Sequence, residues 1–146
     1  MPAISCGYSN PYTLALRGPT VSVEIGIDPA FQPGRGLTPS LTSSLLPALV
    51  DTGALESCID DELAVSLNLP IVALQQVSGV GGTLHVNEYM AQIYIPELNF
   101  TILGPFAGVH LAAGRQPHYA LIGRTFLRHF NMAYEGRTGS VIISND

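Results

Sequence analysis

The sequence has no tryptophan, no lysine and only two cysteines among 146 residues. The chain has six basic and eleven acidic residues, which gives a net charge of −5. Because a nucleic-acid partner requires a basic surface that neutralises phosphates, we expect no nucleic acid to bind. Cys6 and Cys58 are too few for a disulfide framework and lack zinc spacing. We expect free, buried thiols and a reducing, cytoplasmic location.

Long apolar runs are also missing. No run reaches the roughly 18 residues that a membrane-spanning helix needs, and residues 1–6 lack the basic and apolar regions of a signal peptide. We therefore expect no leader and no membrane partner. The four histidines show no metal spacing with one another or with cysteine, so we expect no metal and no cofactor.

Glycine and proline are plentiful, with 15 and 11 residues. Together with many Val, Ile and Thr residues, they favour short strands and tight turns, and the sequence predicts an all-β fold with one or two short helices. The length suits a single domain over 1–146. Within it we expect a loose N-terminal arm over 1–11 and a long loop insertion over 28–44.

Periodicity places most of the elements. Strict alternation predicts a half-buried strand over 20–27, and acids ahead of apolar residues predict a short helix over 59–70, whose acids cap it at the surface. Glycines at 78–82 predict the tip of a long hairpin; the rival, a phosphate loop, needs a helix after the glycines. We also expect strands over 12–16, 45–50, 72–77, 83–95, 97–103, 107–112 and 119–122, a helix over 124–130, and a closing hairpin of Asn131–Glu135 with Ser140–Ser144.

One stretch, 48–54, runs Ala-Leu-Val directly into Asp51, Thr52 and Gly53. A carboxylate after three apolar residues is poorly solvated, and glycine lets the chain turn sharply. A strand that delivers an acid into a turn is typical of a functional site. The alternative is ordinary turn chemistry, in which Asp and Thr hydrogen-bond to the local backbone, and this motif alone leaves both open.

Three separate features follow one another: the Asp-Thr-Gly-Ala turn over 51–54, the glycine-rich tip over 78–82, and Leu-Ile-Gly-Arg-Thr-Phe-Leu over 121–127. In this order, over about residues 20–130, they resemble the retropepsin family of aspartic proteases, in particular its bacterial and cellular members. The resemblance implies a closed β-barrel with a flap hairpin over a cleft. It also implies an aspartic endopeptidase that acts on peptide or protein substrates as a homodimer.

The resemblance also implies roles for individual residues. Asp51 is the catalytic acid, Thr52 ties the two catalytic loops together across the dimer, and Gly53 makes room for the substrate backbone. Aspartic catalysis needs two carboxylates that share a proton, and the chain has a single Asp-Thr-Gly, so the second Asp51 comes from an identical chain. Substrate contacts are implied for Gly53, Ala54, Glu56, Ser78, Gly79, Val80, Gly81 and Leu121.

Two departures from the family pattern carry expectations. Leu55 stands where viral members have an acid that pairs with arginine; Arg17 and Arg124 match the family's arginines, and Glu56 is a candidate substitute. Ala54 stands where acid-acting relatives carry a serine that stabilises the ionised acid, which predicts an optimum nearer mildly acidic or neutral pH.

Two alternative functions stay open at this point. One is a catalytically silent retropepsin-like module for dimerisation or peptide binding. The other is a small, monomeric, ligand-binding β-barrel in which Asp-Thr-Gly is incidental.

Overall fold

The computed structural model describes residues 3–32 and 38–145. Most of its described elements are short, as the glycine and proline content predicts, whereas the strand over Gly82–Ile95 has 14 residues. In chain order they are β1 (Ala3–Ser5), α1 (Pro11–Arg17), β2 (Thr20–Gly26), β3 (Leu46–Val50), β4 (Cys58–Asp60), α2 (Asp61–Ser66), β5 (Ile71–Gly79), β6 (Gly82–Ile95), a 3₁₀ turn (Pro96–Leu98), β7 (Phe100–Val109), β8 (Ala120–Ile122), α3 (Arg124–Leu127), β9 (Asn131–Glu135) and β10 (Ser140–Ser144).

Six strands form a closed ring in the order β2-β3-β8-β4-β7-β6, because β6 also pairs with β2. Strand β5 extends the ring outward from β6, and β1, β10 and β9 form a separate three-stranded sheet. The prediction of an all-β, closed fold is confirmed, and the described residues form three short α-helices and one 3₁₀ turn where one or two short helices were predicted. None of the helices in the described ranges is long and apolar enough to cross a membrane.

The core fills the inside of this ring. Alternate residues of β2, namely Val21, Val23 and Ile25, are at most 4% exposed, as the alternating pattern predicts. Ile93 of β6 pairs with Ile25 and is also fully buried. Burial of such side chains stabilises the fold by about 1.5–3 kcal/mol each, so the ring is a rigid frame for the loops at its ends.

The prediction of a loose arm over 1–11 was wrong at its beginning. Ala3–Ser5 pairs with β10, Ile4 and Cys6 are buried, and burial raises the pKa of the Cys6 thiol to about 12. The backbone N–H of Cys6 donates to the carbonyl of Val141 over 2.8 Å. Ile4 and Cys6 are thus alternate buried residues of a segment whose partner strand, β10, lies near the other end of the chain.

The strand predicted over 12–16 was also wrong, because this segment is helix α1. The Asn10 side chain accepts a hydrogen bond from the N–H of Thr13 over 2.8 Å, and Pro11 occupies the first turn. Gly18, with φ of 72°, ends the helix. A capping side chain before a proline is a helix start, and it outweighs the strand propensity of the next residues.

Two further boundaries differ from the predictions. Instead of separate strands over 97–103 and 107–112, a 3₁₀ turn ends at Asn99, whose φ is 48°, and β7 then runs continuously through Pro105. The helix predicted over 59–70 is shorter, since Cys58–Asp60 is strand β4. Asp60 caps α2 as expected, but it is only 1% exposed and so does not lie on the surface.

The described parts of the loop predicted over 28–44 contain no helix or strand. Asp28 organises this region, because its carboxylate accepts from the N–H groups of Ala30 and Ser40 over 3.1 and 2.8 Å. The part of the prediction that concerns residues 33–37 lies outside the described residues.

His118 makes stability depend on pH. It is 4% exposed and hydrogen-bonds through Nε2 to Thr20 Oγ1 over 3.0 Å. Burial, and secondarily the charge of Arg17, lower the pKa of His118 below its ordinary 6.5. The unfolded chain therefore binds this proton more readily, so the contribution of a neutral His118 is complete above pH 6.5 and is lost as the pH falls below it.

We expect His118→Gln to remove this part of the acid sensitivity. In urea unfolding at pH 7.5 and 5.0, the variant should lose less free energy of unfolding between the two pH values than the wild type loses. His110→Gln, at an exposed histidine, is the matched control and should lose as much free energy of unfolding between the two pH values as the wild type. An unchanged pH dependence in His118→Gln would contradict the assignment.

Candidate active site

The parallel pair β3 and β8 delivers Asp51 to the end of the ring. Ala48, Leu49 and Val50 lie opposite Ala120, Leu121 and Ile122, which explains why both segments run apolar residues into a turn. The pairing extends one step further, because the N–H of Asp51 donates to the carbonyl of Ile122 over 2.9 Å. Asp51 is therefore fixed at its backbone where the two strands end.

The turn after β3 orients the carboxylate of Asp51. The N–H of Gly53 donates to Asp51 Oδ1 over 2.9 Å, and the N–H of Ala54 donates to the carbonyl of Asp51 over 3.2 Å. A Cβ at position 53 would lie 3.1 Å from the same Oδ1, so glycine permits this close approach. The side chain of Asp51 is half-buried, and the turn therefore holds an accessible acid in one orientation.

Helix α3 anchors the same turn from the other side. The N–H groups of Arg124 and Thr125 donate to the carbonyls of Ala54 and Leu55 over 2.9 and 3.0 Å, and Arg124 Nη1 donates to the carbonyl of Thr52 over 2.7 Å. A Cβ at Gly123 would lie 2.7 Å from the carbonyl of Glu56. Glycine is thus required at the position where strand β8 passes this loop.

Two cavities flank the turn. Asp51 and Thr52 line the smaller one, of about 540 Å³, with Pro19, Leu49, Val50, Met132 and Tyr134. The larger one is a cleft of about 950 Å³ that begins at the next residue, Gly53. Besides residues 53–58 and 100–107, the cleft is lined by Gln75, Gln76, Ser78, Glu88, Val109, Leu121, Thr125, Phe126 and His129.

The residues singled out in the sequence fall into three groups. Five of them come together on the cleft: Gly53, Ala54, Glu56, Ser78 and Leu121. Asp51 and Thr52 face the smaller cavity. Gly79, Val80 and Gly81 form the tip of the β5–β6 hairpin, where Gly79 pairs with Gly82, Val80 is fully exposed, and a Cβ at Gly81 would have no neighbour within 4 Å.

Glu56, the candidate substitute for the missing acid, and Arg124 have separate partners. Thr125 Oγ1 donates to Glu56 Oε2 over 3.4 Å, whereas the guanidinium of Arg124 donates to Thr52. Arg124 thus binds the Asp-Thr-Gly turn through a carbonyl.

Several cleft residues were not identified from the sequence, namely Gln75, Gln76, Cys58, Glu88 and the residues of β7. Their place depends on strand register, which local periodicity does not give. Cys58 is half-buried, and burial raises the pKa of its thiol to about 11, with a further increase from the charge of Asp51. At neutral pH this thiol is protonated and is a poor nucleophile.

Across the part of the chain that the structure describes, no group of three or more His, Cys, Asp or Glu side chains could hold a metal ion.

Comparison with known proteins places this site in a family. No curated protein matches the chain. The sequence pattern of the retroviral aspartyl protease family matches residues 17–134, which include both strands of the parallel pair, the Asp-Thr-Gly turn and the hairpin. The match extends over well more than half of the 146 residues. The chain therefore belongs to the retroviral aspartyl protease family.

Proposed function

We propose that the protein is an aspartic endopeptidase whose catalytic pair is formed by Asp51 from each of two identical chains. The observation that carries this proposal is the position of the Asp-Thr-Gly turn. In a chain of this family, the turn presents a half-buried carboxylate between a large cleft and a second cavity on an exposed face.

The need for a second chain follows from the other aspartates. Asp28 and Asp60 accept hydrogen bonds from backbone N–H groups, and Asp61 Oδ1 accepts from the hydroxyl of Tyr89 over 2.7 Å. Asp146 lies outside the described residues. Since two carboxylates must share one proton, a second Asp51 from a two-fold related copy is the simplest source.

The smaller cavity indicates the face where the copy would dock. Asp51 and Thr52 share this cavity with Met132 and Tyr134 of β9, and Tyr134 is 54% exposed. Strand β9 is at the edge of its three-stranded sheet. An edge strand offers unpaired backbone groups to another chain, so we propose that the dimer forms over β9 and the Asp51 turn.

In the proposed reaction, a water molecule lies between the two Asp51 carboxyl groups. The ionised one accepts a proton from the water as it attacks the scissile carbonyl carbon, while the protonated one donates a hydrogen bond to the carbonyl oxygen. As the C–N bond of the tetrahedral intermediate breaks, the carboxyl group that took the proton from the water donates it to the leaving amine, and the pair again holds one proton. Because the two carboxyl groups interact strongly, their two apparent pKa values describe the pair as a whole and not either Asp51 residue alone.

The other predicted residues would hold the substrate around this pair. The β5–β6 hairpin would serve as a flap, with glycines at its tip that let it close over the peptide and exclude water. Gly53, Ala54, Glu56 and Leu121 line the cleft on the other side of the peptide, where the carbonyl of Gly53 can accept from the substrate backbone.

The test is cleavage of a diverse peptide pool by the purified chain at high concentration, from pH 3 to 8. High concentration matters because a weak dimer dissociates on dilution. We expect cleavage with an optimum at mildly acidic to neutral pH, because Ala54 offers no hydroxyl to the ionised acid. No cleavage in samples shown to be dimeric would favour a silent peptide-binding module, and an optimum at about pH 3 or below would contradict the role given to Ala54.

A further inference from the structure

Glu88 lies in the cleft and belongs to a row of paired residues that crosses the sheet. On β6 it is opposite Ala107 of β7; Ala107 is opposite Cys58 of β4, and Cys58 is opposite Leu121 of β8. Directly paired residues on neighbouring strands present their side chains on the same face of a sheet. All four residues line the cleft, so the row connects Glu88 to the strand that ends beside Asp51.

The row also gives the separation. Three strand spacings of about 4.8 Å separate Leu121 from Glu88, or roughly 14 Å along the sheet. An extended peptide advances about 3.4 Å per residue. Glu88 is therefore about four residues of an extended peptide away from β8, whose end lies beside the Asp51 turn.

The carboxylate of Glu88 has no compensating charge. Its side chain is half-buried, and no described residue donates a hydrogen bond to this carboxylate or forms an ion pair with it. The chain has no lysine, and none of the described arginines lines the cleft. A carboxylate against low-dielectric walls focuses negative potential into the space where a ligand would lie.

We propose that Glu88 makes this cleft select peptides with an arginine or lysine side chain in an outer subsite, about four residues from the scissile bond. A guanidinium would form a charge-assisted hydrogen bond with the carboxylate, which neutral side chains cannot match. In a two-fold dimer the same acid occurs at both ends of the cleft. This inference rests on the proposed function, whose cleft it describes.

The experiment uses one cleavable peptide in three versions. They carry Arg, Gln or Glu at the fourth residue before the scissile bond and the same residue at the fourth position after it. For the wild-type protein we expect kcat/KM to be about tenfold higher for the Arg peptide than for the Gln peptide, and lowest for the Glu peptide. Raising the salt concentration to 0.5 M should reduce this preference, because exposed charges are screened. Equal cleavage of the three peptides by the wild type would overturn the inference without any variant.

Three variants identify the residue responsible. In Glu88→Gln the ratio of kcat/KM for the Arg peptide to kcat/KM for the Gln peptide should fall to near one. In Glu88→Arg the Glu peptide should have a higher kcat/KM than the Arg peptide. Glu97→Gln removes the same charge from an exposed residue on the 3₁₀ turn, away from the cleft, and should keep the wild-type ratio. A tenfold ratio that survives in Glu88→Gln would assign the preference to another group.

Binding separates this inference from the proposed function. Fluorescence anisotropy with the Asp51→Asn protein measures the affinity for the Arg and Gln peptides without turnover. Tighter binding of the Arg peptide, with no cleavage by any form of the protein, would support charge selection and refute the protease. Cleavage that requires Asp51 but has the same kcat/KM for the differently charged peptides would support the proposed protease activity and refute the charge selection by Glu88.

Discussion

Asp51→Asn is expected to lower kcat/KM for peptide cleavage by about four orders of magnitude or more, which is the scale of losing a central catalytic group. The amide cannot take the proton of the attacking water and cannot share a proton with its counterpart. Its oxygen can still accept from the N–H of Gly53, which lies 2.9 Å from Oδ1. The turn should keep its shape, so thermal unfolding measured beside the kinetics should show a folded protein.

Asp61→Asn is the matched control for this substitution. Asp61 makes its side-chain contact with the hydroxyl of Tyr89, and an asparagine oxygen can replace that acceptor. The control should cleave peptides like the wild type. If Asp51→Asn retained more than about one hundredth of the wild-type rate after removal of contaminating proteases, Asp51 would not be the catalytic acid.

Mixing the wild-type and Asp51→Asn chains tests whether the site is shared. When a fixed amount of wild type exchanges subunits with a ninefold excess of the variant, about one tenth of its chains find a wild-type partner, and activity should fall about tenfold. A protein that acts as a monomer would keep its full rate. The mixture therefore separates a shared pair of Asp51 residues from a complete site in one chain.

The parts of the fold that follow from local pattern were predictable. The alternation of Val21, Val23 and Ile25 gave strand β2, and the glycines between β5 and β6 gave the hairpin tip. Asp51 could be singled out from the sequence because a carboxylate directly after a buried strand is poorly solvated, and its burial without partners is costly. The local hydrogen bonding that an Asp-Thr-Gly turn predicts is present, since the N–H of Gly53 donates to the Asp51 carboxylate, and this carboxylate is half-buried.

The parts that were missed depend on partners distant in sequence or on competing local signals. β1 exists because β10 pairs with Ala3–Ser5 from the opposite end of the chain, and no local pattern near residue 3 reveals that partner. In α1, capping by Asn10 outweighed strand propensity. Glu88 reaches the cleft through the register of four strands, and a shift of one residue would turn its side chain to the other face.

Asp60 is a buried acid whose loss should destabilise the fold strongly. Its Oδ2 accepts from the N–H of Leu63 over 3.0 Å, and its Oδ1 accepts from the N–H groups of Leu111 and Ala112 over 3.1 and 2.9 Å. The carboxylate is 1% exposed. One side chain thus caps α2 and also holds the segment that follows β7, which joins two parts of the chain about fifty residues apart.

Asp60→Ala should lower the free energy of unfolding by about 4 kcal/mol, because it removes a helix cap and leaves two further N–H groups without their charged acceptor. Asp60→Asn should cost less, since its oxygen can still accept from Leu111 and Ala112 while its amide group cannot accept from Leu63. Urea unfolding measures the free energy of unfolding of both variants. All samples need one fixed protein concentration, because dimerisation would otherwise add to the apparent stability by a variable amount.

Glu62→Ala, at an exposed acid in the first turn of the same helix, should change the free energy of unfolding by no more than about 0.5 kcal/mol. Equal losses in Asp60→Ala and Glu62→Ala would mean that the helix start, rather than the bridge to Leu111 and Ala112, determines the effect of Asp60.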